Sequence, residues 1–200
     1  YHNECIGSLS LGVKIGETYT DYSQGSVRQT GGTYDLALSG SGFFAVSVTD
    51  KAGEVHTRYT RDGRFHLTKD GLLVDADGNA VQGQNGNITI DPSSKNVSIS
   101  ATGQITADGE LVDTLNIVDF EDYDYLKKYG DTMYEPVDGA TTKDAEGEIL
   151  QGYTEQSNVN VVREMVDMIT ITRAYEAGQK VIHSYDSMLD KSVNQVGALK

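Results

Sequence analysis

Several acidic, histidine and serine residues in this chain fall at spacings that invite a chemical reading. Asp75-Ala76-Asp77-Gly78-Asn79 opens like a calcium-binding loop. Such a loop needs glycine at its sixth position and a bidentate glutamate at its twelfth. Ala80 and Gly86 stand there instead, so the segment is expected to be a hairpin turn. His2, His56, His66 and His183 are scattered, with no His-x-x-x-His pair to grip a metal on one helix face. His56 and His66 are expected on neighbouring strands, paired within a sheet. Ser39-Gly40-Ser41-Gly42 lacks the spacing of a nucleophile elbow, and no lysine follows it as in a phosphate loop. It reads as a turn that admits Phe43 to a strand. Glu121, Asp122 and Asp124 are neighbours of the kind expected by chance among thirty acids, not a glycosidase pair. Asn87-Ile88-Thr89 and Asn96-Val97-Ser98 match glycosylation sequons by chance. The single Cys5 excludes an internal disulfide and any multi-cysteine metal site. Twelve tyrosines without tryptophan fit sheet and interface packing better than a ligand-stacking platform. No catalytic, cofactor or metal site is expected, and the chain is not read as an enzyme.

Composition narrows the partners. Sixteen basic against thirty acidic residues give a net charge of −14, which argues against polyanionic nucleic acid or an anionic membrane face. No apolar run approaches the roughly 20 residues of a membrane span, and the N-terminus lacks the basic-then-apolar pattern of a cleaved leader. At 200 residues the chain can bury about 70% of its unfolded surface, enough for a substantial core.

The elements that would position any site differ between the middle and the ends. Asp62-Gly63, Asp70-Gly71, Asp77-Gly78, Asn85-Gly86 and Asp108-Gly109 recur at close intervals, and Asx-Gly pairs supply the positive φ of tight hairpins. Short apolar or alternating runs lie between them, too short for helices. Phe43 to Val48 is a strand candidate with Phe44, Val46 and Val48 on one face; Thr114 to Phe120 places Leu115 and Ile117 together. Asp122 to Tyr129 is expected to form a short helix stopped by Gly130. Residues 130–150 are expected to be mostly loop, with strands returning near Ile149. The fold class is therefore mainly β with a long C-terminal α-helix. The organisation is an extended segment over 1–33, a compact antiparallel β domain over 34–150, and a helical region over 151–200.

From Asn160 to about Val196 no proline interrupts an apolar stripe at three- and four-residue steps. Its members include Val161, Met165, Met168, Tyr175, Ile182, Tyr185 and Leu189, with Asn160 as N-cap. About 37 residues make a rod of roughly 55 Å, and the stripe is narrow, like a coiled-coil seam. Propensity alone would not hold it, because β-branched residues crowd its first turns and Gly178 costs about 1 kcal/mol relative to alanine. Burial of the stripe at roughly 1.5–3 kcal/mol per side chain, an upper bound, would outweigh that deficit. The helix thus requires a partner surface: the β domain, another subunit, or a helix preceding Tyr1, the last being the expected one.

Three stretches resemble the flagellar hook–basal-body family. They are Tyr22 to Gly31 with Asp35 to Phe44, Tyr59 to Val74, and Gln151 to Val162 continuing through Glu164–Ile169 and Arg173–Glu176. Leu115 to Phe120 also fits. The likeness runs in order through nearly the whole chain. It implies a structural subunit of the flagellar basal-body rod that catalyses nothing. In such proteins both chain ends form helices packed as a coiled coil along the inner wall of an axial tube. The β-rich domain sits outside, and copies stack helically around an export channel. The resemblance also implies an extracytoplasmic location in the basal body, reached through the type III apparatus without a cleaved leader. The expected partners are further copies of the chain and other rod and hook proteins. The expected seam is Val161, Met165, Met168, Tyr175, Ile182, Tyr185 and Leu189, with Asn158 and Asn160 setting where the helix begins. The competing reading is a secreted glycan-binding β module with the helix as an oligomerisation stalk.

Overall fold

The computed structural model describes residue 16, residues 18–50 and residues 53–196. His2, Cys5 and residues 1–15 of the segment expected to be extended lie outside the described residues. Among the described residues seventeen strands precede one long helix: β1 (Val27–Gln29), β2 (Leu36–Ser39), β3 (Phe43–Thr49), β4 (Val55–Thr60), β5 (His66–Leu67), β6 (Leu73–Val74), β7 (Ala80–Gly83), β8 (Gly86–Asn87), β9 (Val97–Ile99), β10 (Gln104–Ala107), β11 (Glu110–Thr114), β12 (Ile117–Phe120), β13 (Leu126–Tyr129), β14 (Met133–Pro136), β15 (Thr142–Asp144), β16 (Glu148–Gln151), β17 (Tyr153–Glu155) and α1 (Val161–Lys191). The largest sheet runs β13-β14-β4-β3-β7-β6-β5, with β12 added to β3, β15 to β12 and β8 to β7. The strands β11-β10-β9 form a second sheet, and β16 pairs with β2 and β1 with β17. Every strand pair is antiparallel.

Alternation along β3 divides the interior in two. Phe44 and Val46 enter the larger core with Leu36, Leu38, Leu73, Val81, Ile88, Ile90, Ile105 and Ile149. Val48 packs against the same core, as do Leu115 and Ile117. Phe43 points to the opposite face and joins Phe120 and Leu126, rimmed by Tyr22, Tyr59, Tyr123 and Tyr134. Edge-to-face contacts bind that aromatic cluster, among them Phe43–Phe120 at 6.0 Å and Tyr59–Phe120 at 5.0 Å between ring centroids. Tyr22, Tyr59, Tyr123 and Tyr134 thus serve packing.

The glycine turns carry the meander. Gly71, Gly78, Gly86 and Gly109 all have positive φ, and Asp108 joins Gly109 in the left-handed region. Gly63 differs from the expectation: its backbone is not left-handed, and it is glycine because a Cβ would lie 1.8 Å from the Leu36 carbonyl oxygen. The Asp75 segment is the expected turn: Asp75 Oδ1 accepts from the Asp77 and Asn79 amides.

Three expectations change. Asp122 to Tyr129 is not a helix. Asp122 caps a single 3-10 turn over Tyr123–Tyr125, and the chain then extends as β13. Pairing with β14 satisfies that backbone, while Leu126 is buried in the aromatic cluster, a gain that one isolated helical turn does not offer. Gly130, at φ +63, closes the β13–β14 hairpin. Residues 130–150 hold three strands rather than loop, and Ile149 pairs with Leu38. His56 and His66 are not on neighbouring strands: His56 sits opposite Val48 and His66 opposite Val74, on β4 and β5 respectively.

Asp119 is the most fully buried charge in the second core, with no exposed surface. Its carboxylate accepts from the Phe120 amide and the Tyr123 hydroxyl, each at 2.8 Å, and faces Lys143 Nζ at 3.1 Å across the β12–β15 pair. Burial alone would raise its pKa, but hydrogen bonds from Ser41, Tyr123, Phe120 and Lys143 more than offset this and hold it below the usual value. Burial, and after it the bond to Asp119, push the Tyr123 phenol up to about 12. A depressed carboxyl pKa contributes stability that is present above the ordinary value near 4 and lost as pH falls through the folded one. Asp119→Asn is therefore expected to cost about 1.5–3 kcal/mol at pH 7. The difference from the parent should shrink as pH drops below 4, as urea unfolding at pH 7 and pH 3 would show.

Candidate functional site

α1 is set up by its own sequence. Asn160, in extended backbone, accepts from the Val162 and Arg163 amides at 3.1 and 3.2 Å, satisfying donors that have no helical partner. Glu164 in the first turn and Lys191 in the last complement the helix dipole. The β-branched threonines are accommodated by back-bonding: Thr170 to the Val166 carbonyl and Thr172 to that of Met168. The α-helix ends at Lys191, and a π-turn over Ser192–Val196 continues it.

No residue of α1 is buried. Val161, Met165, Met168, Tyr175, Ile182, Tyr185 and Leu189 are all between 59% and 68% exposed, so the β domain does not cover the stripe. The spacing within it is regular: Val161, Met168, Tyr175, Ile182 and Leu189 follow one another at steps of seven. A seven-residue repeat keeps one edge facing a partner only when helices supercoil left-handedly. Reading the stripe alone missed a second apolar line at the helix root, where Val162, Val166 and Ile169 are also more than half exposed. Its sequence signal is the run of β-branched residues in the first turns, which are apolar as well as poor helix formers. An α-helix apolar over more than one face is one that several neighbours bury.

Asn158 lies two residues before the cap. Its side-chain amide donates to the carbonyls of Asp21 and Ser23 and to Ser23 Oγ, at 3.0–3.2 Å. It thereby ties the start of the helical region to the chain entering the β domain. That neighbourhood is reinforced by the β1–β17 pair, in which Val27, Arg28 and Gln29 face Glu155, Thr154 and Tyr153.

No helix among the described residues is long and apolar enough to cross a membrane. Among the same residues no three His, Cys, Asp or Glu are grouped to hold a metal. What the geometry offers is a long apolar edge on a rigidly started rod, a surface for association.

Comparison with known proteins places the chain in a family. Residues 150–196 match the family described as flagellar basal body rod FlgEFG protein C-terminal. Residues 37–107 match the flagellar hook protein FlgE/F/G D1 domain. The flagellar basal-body rod protein FlgG of Buchnera aphidicola (subspecies Schizaphis graminum) is 36% identical over 196 residues, spanning 92% of this chain and 73% of that protein. The chain belongs to the flagellar basal-body rod family. FlgG of Bacillus subtilis is 32% identical, with 93% of this chain and 74% of the relative covered. The rod protein FlgF of Caulobacter vibrioides is 34% identical, with 90% and 72% covered. As a rod family member the chain is a structural subunit of the flagellum and not an enzyme. The two family matches fall on the β domain and on α1 with its root, so the exposed helix belongs to the shared rod architecture.

Removing the cap tests how α1 is held at its base. Asn160→Ala is expected to cost about 1 kcal/mol of helix stability. Amide exchange should quicken at Val162 and Arg163 and leave the β3 and β4 amides unchanged.

Proposed function

We propose that this rod protein polymerises helically through α1, copies packing side by side around an export channel to make a shaft that transmits torque. The observation that carries the reading is a 31-residue helix without one buried side chain and with an apolar residue at every seventh position. Left in water, that edge forgoes roughly 1.5–3 kcal/mol for each large side chain. Seam residues Val161, Met165, Met168, Tyr175, Ile182, Tyr185 and Leu189 pack in a coiled coil against helices of the assembly. Residues 34–150 form the outer β domain, 151–200 the inner-tube region and 1–33 the segment leading toward the axis. Extensive apolar contact of this kind is typical of obligate interfaces and gives the stiffness a drive shaft needs.

Among rod members the residues from Gln151 to Val162 are most like the distal rod protein, with the proximal rod protein the near alternative. The other partners are the rod and hook proteins that adjoin it. The location is extracytoplasmic, in the basal body, after export without a cleaved leader. The glycan-binding alternative gains no support from the family relationship.

A charge on the seam tests the assignment. Met168→Asp in the full-length protein is expected to abolish rods and swimming while the far-ultraviolet signature and melting of the β domain are retained. Normal rods and motility in that variant would remove Met168 and its seam from the interface.

A further inference from the structure

With no buried residue, α1 has no packing of its own against the β domain to set its direction. The chain enters and leaves the sheet side by side, where the β1–β17 pair and the Asn158 contacts already described are joined by a further polar contact. Glu155 on β17 turns inward. Its Oε1 accepts from the Gly25 amide at 2.8 Å, and its Oε2 receives Arg61 Nε at 3.1 Å. Arg61 Nη2 reaches the Gly40 carbonyl at 2.8 Å. The guanidinium carbon lies 5.8 Å from the centre of the Phe43 ring. The Arg61 and Glu155 side chains are only 17% and 11% exposed. Gln24 donates to the Leu38 carbonyl and accepts from the Gly40 amide, and the Gln156 amide donates to the Ser26 carbonyl. A Cβ on Gly25 would lie 1.7 Å from the Gln156 carbonyl oxygen, so the two connectors touch backbone to backbone. One ion pair thus collects the incoming connector, the turn before β3, the end of β4 and the outgoing connector.

A nearly buried ion pair is a poor choice for stability alone, because desolvating both groups offsets most of their attraction. What it supplies is geometry. A planar guanidinium and a two-oxygen carboxylate hold their partners in one orientation, which apolar side chains do not. We infer that Arg61 and Glu155 are positioning residues that form an orientation lock, fixing the angle at which the helical region leaves the β domain. The lock is contained within one chain and is independent of which surface mediates assembly.

The test is amide exchange on the full chain. Glu155→Gln keeps the shape of the side chain and removes its charge. It is expected to speed exchange at Gly25 and Gln156 at least tenfold while Ala45 and Val46 in β3 keep their parental rates. Arg61→Lys keeps the charge but cannot reach Glu155 and Gly40 together, so the same amides should quicken, by a smaller factor. Parental rates at Gly25 and Gln156 in either variant would overturn the lock. An equal rise at the connectors and in β3 would also overturn it, showing the pair to be an ordinary stabiliser of the whole domain.

Discussion

A rod of about 46 Å standing on a sheet without burying a side chain is an unbalanced structure. Its apolar edge is excluded from the domain that carries it, and burial is the main favourable contribution a helix of this length can draw on. The propensity penalties of its first turns and of Gly178 are then tolerable only if the edge is covered by something else. Assembly through this edge, as proposed above, would meet that requirement.

The β domain, by contrast, satisfies itself. Two cores separated by the alternation along β3 bury every large apolar residue from Phe43 to Val46, and the aromatic side of the sheet is closed by tyrosines whose rings pack edge to face. Asp119, the one fully enclosed charge among the described residues, accepts from the Phe120 amide on β12 and the Tyr123 hydroxyl and pairs with Lys143 on β15. A unit whose large apolar side chains are buried in its own two cores can present a long helix to neighbours without unfolding when the helix is exposed.

The connection between these two parts is small. Backbone pairing of β1 with β17, the reach of Asn158 to Ser23 and the Arg61–Glu155 contact lie within a few residues of each other. These contacts are where the helix root and the sheet are joined. The segments that carry the family likeness, around Gly25, Gly40, Arg61 and Glu155, meet there, beside an open hollow of about 560 Å³ lined by Gly25, Arg61 and Glu155.

Local information determined much of this protein. Turn glycines at Gly71, Gly78, Gly86 and Gly109, the alternation from Phe43 to Val48, the cap at Asn160 and the apolar stripe after it are all set by near neighbours, so they could be read directly from the chain. Leu126 to Tyr129 could not: its residues allow one helical turn, and only pairing with β14 and burial of Leu126 made it a strand. Gly63 followed the same rule, its need for glycine coming from a carbonyl twenty-seven residues away at Leu36. Arg61 and Glu155 are ninety-four residues apart, and nothing in the spacing of either announces the other. Periodicity and turn chemistry act over a few residues and are written in order along the chain. Which charge meets which, and which face is left bare, are decided by the sheet's long-range pairing, where sequence distance no longer measures separation in space.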